Sequence, residues 1–132
     1  MSKDSEMTKV VINKCFGGFT LSKKAIEWLE ERGVFNTPDL QDELKRTKAW
    51  MKQTLDSYSP NDMGIARDNP LLVECVEVLK KDAFYRGVSE LVVEEVNGTL
   101  YKDFFIGDYD GCEEIFDNEE EADDYSLQDY RH

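Results

Sequence analysis

Val10, Val11 and Ile12 are three consecutive β-branched apolar residues close to the start of the chain. Neighbouring side chains of a strand point to opposite faces, so such a run reads as a strand that must be covered on both sides. The strand is placed over residues 9–16 (KVVINKCF) and ends at Gly17-Gly18. Whatever else the chain does, it has to supply cover for two faces of this segment.

Helix signals follow in order. Ser22 is an N-cap, Leu21 before it can staple onto Ile26, and Ala25, Ile26 and Leu29 form an apolar stripe that stops at Gly33. Thr37-Pro38-Asp39 supplies a cap, an N1 proline and a first-turn acid. Leu40, Leu44, Met51 and Leu55 then share one helical face, with Trp50 at its edge. Residues 57–67, with Pro60, Asn61, Asp62 and Gly64, have the chemistry of a loop. Asn69-Pro70 opens a third helix, apolar on most sides and expected to be the most buried.

Strand signals close the chain: residues 90–96, then Asn97-Gly98, residues 100–109, then Asp110-Gly111, and residues 112–116. Both dipeptides are strong hairpin signals, because type I′ turns need positive φ at both central positions. The order β-α-α-α-β-β-β predicts an α+β, two-layer fold. It has one mixed, mostly antiparallel sheet of about four strands and three helices on one face. Residues 1–8 read as a flexible leader, 9–117 as a single domain and 118–132 as an acidic, disordered tail.

The tail assignment rests on charge. Asp and Glu total 29 against 16 Lys and Arg, a net of −13. Residues 1–60 hold 10 basic and 9 acidic side chains (+1), and residues 61–132 hold 6 and 20 (−14). Eight of the twelve residues 113–124 are acidic, a density at which like charges repel in any compact arrangement. The balance argues against direct nucleic-acid binding and against an anionic membrane surface, both of which need a basic face. Three widely spaced cysteines, Cys15, Cys75 and Cys112, with no CxxC, suit reduced thiols packed as small hydrophobes. The polar N-terminus has no signal-peptide core, and no apolar run is long enough to span a bilayer.

Several groups bear on chemistry. Gly17-Gly18 followed by the helix start at Ser22 forms either a tight turn or an approach for an anion to free N–H groups, with Arg67 as counter-charge. Neither a GxGxxG nor a GxxxxGK[ST] spacing is present. Cys15 lacks a partner base, since His132 is the sole histidine and stands at the chain end. Adjacent carboxylates on a strand point apart and make no acid–base dyad, and Asp108, Asp110 and Asp117 lack the later Glu of a calcium loop. The expectation is therefore a chain with no catalytic residues, metal or cofactor. Tyr125 and Tyr130 interleave with the acids of the tail, and such a segment can imitate the charge and flat faces of a nucleic acid.

The segments KVVINKCFGGFTLS (9–22), ARDNPLLVECVEVL (66–79) and GDYDGCEEI (107–115) resemble a family of small proteins that recur in tailed-bacteriophage and prophage genomes. Asp108 stands where that family has Glu, and the chain runs acidic where the family turns basic and aromatic. The resemblance implies a viral origin and action in the bacterial cytoplasm, and it supplies no catalytic residue.

Together these features predict a phage accessory protein that inhibits or redirects a host protein, such as an anti-phage defence factor with a basic nucleic-acid cleft. Its partner-binding residues would be Asp108, Asp110, Glu113, Glu114, Asp117, Glu119, Glu120, Glu121, Asp123 and Asp124. The alternative is a module that sequesters a nucleotide or cyclic-nucleotide signal at Gly17, Gly18, Ser22 and Arg67. An exposed edge strand would also suit a homodimer.

Overall fold

The structure, a computed structural model, describes residues 7–127. It is α+β, with β1 (Met7–Asn13), α1 (Lys23–Glu31), α2 (Pro38–Thr54), α3 (Pro70–Leu79), β2 (Leu91–Asn97), β3 (Phe105–Tyr109), β4 (Cys112–Phe116) and α4 (Glu119–Leu127).

The first three helices start where their caps require. The Ser22 hydroxyl accepts the Ala25 N–H at 3.0 Å, Thr37 accepts that of Leu40 at 3.1 Å, and Asn69 accepts that of Leu71 at 2.9 Å. Pro38 and Pro70 occupy first-turn positions that need no N–H donor. Gly33 takes φ 75° just after α1 and stops it. Helix α3 buries Leu72, Val73, Cys75 and Val76, although Val78 is left 56% exposed on its outer side.

Strand β1 has cover on both faces, as its sequence demands. Val11 faces a core of Leu21, Leu29, Met63 and Leu72 under the helices. Val10 and Ile12 face a second, smaller core with Leu100 and Phe104. Burying each such side chain contributes about 1.5–3 kcal/mol. Strand β1 pairs antiparallel with β2 in the register Val10 to Glu94 and Ile12 to Val92.

Several expectations need correction. The strands form two separate two-stranded sheets, β1 with β2 and β3 with β4, and no single four-stranded sheet. Asn97-Gly98 does not open a hairpin: Asn97 ends the ladder opposite Met7, and positive φ falls on Gly98 (104°) but not on Asn97, where a type I′ turn needs it at both positions. The chain instead curls into a turn in which Asp103 accepts the Thr99 N–H at 2.8 Å and Phe104 drops into the second core at 1% exposure. The strand expected over 100–109 is thereby shortened to β3. Asp110-Gly111 does make its hairpin, at φ 50° and 88°, with Tyr109 opposite Cys112.

The N-terminal boundary also moves, since Met7 and Thr8, assigned to the leader, belong to β1 and pair with Asn97 and Val96. The largest correction is α4, where a disordered tail is expected. Asn118 caps it by accepting the Glu121 N–H at 2.8 Å, and three glutamates lie at the positive end of its dipole. Ala122 is buried, and the Tyr125 ring packs 5.2 Å from Phe116 and 5.8 Å from Tyr109. Gly107 permits this approach, because a Cβ there would lie 2.8 Å from the Ala122 carbonyl. The rest of the expected tail, 128–132, lies outside the described residues, as does most of the leader.

Only Cys75 is the buried hydrophobe expected of all three cysteines, and burial pushes its thiol up to about 12. Cys15 and Cys112 are half-buried because they flank the surface turns. No helix among the described residues is long and apolar enough to cross a membrane.

Candidate functional site

The seam between β1 and β4 holds the most buried charge of the molecule. Glu113, 4% exposed, accepts the Asn13 N–H at 2.8 Å and a hydrogen bond from the Arg67 guanidinium. Arg67 also donates from Nε to Asp62 at 3.2 Å, lies 4.1 Å above the Phe19 ring, and offers its carbonyl to the Val11 N–H at 2.9 Å. Burial alone would lower the Arg67 pKa, but Glu113 and then Asp62 more than offset that and hold it above its ordinary value. The Asn13 amide donates to the carbonyls of Cys15 and Gly111, at 2.7 Å each. This cluster locks the β3–β4 hairpin against the first strand, and it uses up two residues read as ligand or partner contacts. Glu113 cannot meet a partner from inside the fold, and Glu114 is ion-paired with Lys14.

The nucleotide set is not assembled. A Cβ on Gly17 would lie 2.1 Å from the Val88 carbonyl, and one on Gly111 would lie 2.7 Å from the Gly18 nitrogen. Both glycines therefore serve backbone-to-backbone packing. Ser22 is occupied in capping α1 and in donating to the Asp82 carbonyl at 2.5 Å. Arg67 lines one cleft and Ser22 another, and Gly17 and Gly18 line neither.

The remaining acidic residues are brought together. Asp108 and Asp110 flank the β3–β4 turn, Asp117 follows β4, and Glu119, Glu120, Glu121, Asp123 and Asp124 ride on α4. All eight are exposed, and none forms an ion pair with another described residue. Their helix is held from below by Ala122 and by Tyr125, whose hydroxyl reaches the Cys112 carbonyl at 3.3 Å and whose phenol burial pushes up to about 12. The Asp108 N–H donates to the Ser126 hydroxyl at 2.9 Å, tying the hairpin to the far end of α4.

Two clefts border this face. One, of about 470 Å³, runs past Arg67, Asp62, Asp68 and Asp108. The other, about 180 Å³, lies between Phe105, Glu119 and Asp123. Tyr101, 63% exposed, is common to both. Neither Tyr101 nor the anchoring role of Ala122 is read from the sequence, and Tyr125, read there as an aromatic of the imitating tail, packs inward on Phe116 and Tyr109 while Tyr130 lies outside the described residues. The signals available were Asn118 with Glu121 three residues on, a cap pattern, and Ala122 with Tyr125 at helical spacing.

Among the described residues no three His, Cys, Asp or Glu side chains converge as a metal site requires. Against known proteins the chain matches no family model, no curated protein and no solved structure.

Proposed function

We propose that this chain is a phage accessory protein that works by binding, occupying a basic nucleic-acid cleft of a host protein with the face formed by α4 and the β3–β4 turn. The observation that carries the reading is α4 itself: five carboxylates fixed on a packed helix, none of them ion-paired with another described residue. Glu119 with Asp123, Glu120 with Asp123, Glu120 with Asp124 and Glu121 with Asp124 are like-charge neighbours on the helix surface. Such pairs cost about 0.2–0.5 kcal/mol each. A folded chain that keeps this repulsion on a rigid element gains by meeting a positive surface, where the same charges steer association and fix register. The phage origin is supported by the three sequence segments given above.

Cutting the chain before Glu113 would be a poor test, because it removes a buried ion-pair partner of Arg67. The appropriate variant is Glu119→Gln, Glu120→Gln, Glu121→Gln, Asp123→Asn and Asp124→Asn together, which leaves Ala122 and Tyr125 in place. Affinity capture from a bacterial lysate with the unaltered chain is expected to retain a nucleic-acid-binding protein that duplex DNA displaces. Capture is expected to fail with the neutralised variant, and to fail at about 0.5 M salt, where the Debye length falls to only a few ångströms. Retention that is indifferent to salt, to DNA and to the substitutions overturns the reading.

A further inference from the structure

Half of the cations among the described residues have a carboxylate at hand, among them Lys9 with Glu77, Lys14 with Glu114, Arg46 with Glu43, Lys48 with Glu30, and Arg67 with Glu113. Lys23, Lys81 and Arg86 form no ion pair with any described residue, and all three line a single cleft of about 400 Å³. In a chain with nearly twice as many acids as bases, three unneutralised cations around one hollow run against the composition. Lys24 lines it too, with Asp82, the one carboxylate of the lining, 3.6 Å from its amine.

The framework is fixed by backbone. The Ser22 N–H donates to the Ala83 carbonyl at 2.9 Å and the Lys23 N–H to that of Ser57 at 2.8 Å. These bonds hold the start of α1 against the 3-10 helix Lys80–Ala83 and against the loop after α2. An aromatic residue completes the wall. Tyr85 is held through its N–H, 3.0 Å from the Thr20 hydroxyl, and its ring lies 4.3 Å from that of Tyr58, which meets Trp50 edge-on at 5.9 Å. Tyr85 nevertheless stays 44% exposed.

Unneutralised Lys and Arg side chains call for an anion, and phosphate is well matched to the Arg fork and the Lys point charge. An exposed ring supported from behind offers a stacking surface to a flat heterocycle. A ligand carrying both features answers both walls. We propose that the cleft lined by Lys23, Lys24, Lys81, Arg86 and Tyr85 binds a nucleoside monophosphate, its phosphate on the cations and its base on Tyr85. This site shares no residue with the acidic face, so it stands or falls independently of the function proposed above.

The test is a calorimetric and NMR titration of the full chain, at low salt, with adenosine monophosphate, inorganic phosphate and adenosine. Adenosine monophosphate is expected to bind roughly tenfold more tightly than phosphate, the difference being the stacking contribution, with shifts centred on the Lys24 and Tyr85 amides. Lys81→Ala with Arg86→Ala is expected to weaken it about tenfold or more, since charge-assisted hydrogen bonds are lost. Lys81→Arg with Arg86→Lys is expected to retain most of the affinity. Tyr85→Leu should remove the advantage of the nucleotide over phosphate and leave phosphate binding unchanged. The replaced side chains are exposed, and the melting temperature of each variant verifies that folding is intact. The proposal is overturned if adenosine monophosphate binds no better than phosphate, if the double alanine variant binds it as well as the unaltered chain, or if the shifts fall elsewhere.

Discussion

The two sides of β1 are held together by different physics. On the helical side a broad apolar core, from Leu21 and Leu29 through Met63 to Leu72 and Val76, stabilises mainly by burial, with neutral hydrogen bonds such as that from the Leu21 N–H to Ser59 at its border. On the hairpin side the buried apolar residues of the core are Val10, Ile12, Leu100 and Phe104, and the rest of the attachment is polar: Glu113 to Arg67 and Asn13, and Asn13 to Gly111. A small apolar core can tolerate a dense external charge only if specific bonds fix its position. Those bonds are the buried ones made by Glu113, not the exposed carboxylates around it.

Breaking that bond set is expected to have the largest effect. Glu113→Ala leaves Arg67 half-satisfied in a buried position and is expected to cost about 3–5 kcal/mol, the range for removing one partner of a buried pair. Leu72→Ala, in the apolar core, is expected to cost about 2–5 kcal/mol. Amide exchange separates the two: Glu113→Ala should deprotect β3, β4 and α4 first, and Leu72→Ala should lower protection throughout. Uniform loss in both variants would show that the two sides open as one unit.

A smaller and more local loss, about 1–3 kcal/mol for an overpacked contact, is expected for Gly107→Ala, whose new methyl meets the Ala122 carbonyl. Its readout is reduced helical ellipticity with the exchange protection of α1 and α3 retained. Alkaline pH sharpens the same contrast. The Tyr125 phenol and the Cys75 thiol both have folded pKa values raised to about 12, from 10.0 and 9.0 respectively. Their neutral forms therefore contribute fully below pH 9–10, and that contribution is lost as pH rises toward 12. The part of the tyrosinate absorbance that Tyr125→Phe removes should accordingly appear together with loss of α4. Near pH 8 a thiol reagent should label Cys15 and Cys112, and should reach Cys75 only after unfolding. The smallest expected effect is a gain: Asp123→Asn with Asp124→Asn removes acids from the C-terminal half of α4 and should stabilise it by about 0.5–1 kcal/mol in a thermal melt.

Local signals were legible wherever one residue settles the backbone. Ser22, Thr37-Pro38 and Asn69-Pro70 start helices because their chemistry admits little else, and Asp110-Gly111 turns for the same reason. Asn97-Gly98 carries an equally strong local signal, and it yielded to long-range structure: Asn97 pairs with Met7, 90 residues away, and Phe104 packs into the second core. The acidic segment misled in the opposite direction. Charge density argues for disorder only if nothing anchors the segment, and Ala122 and Tyr125, two residues among many carboxylates, do so. Of the residues read as candidates, Asp108, Asp110 and the acids from Asp117 to Asp124 do share one face. Glu113 and Arg67 were singled out separately, and no pattern in the sequence could show that they are each other's partner.

The pairing of β1 with β2 also bears on how the chain is made. Met7 opposes Asn97 and Asn13 opposes Leu91, so β1 waits for a partner synthesised 78 to 90 residues later. At about 5–20 residues per second, roughly 80 residues take about 4–16 s. Closing so long a loop is entropically slow to be rewarded. Throughout that interval Val10, Val11 and Ile12 lack their partner strand, and the helical segment between is complete before the strand that must bridge it. Strand β1 can pair only once β2 has emerged, and the β3–β4 hairpin that Glu113 fastens to it emerges later still.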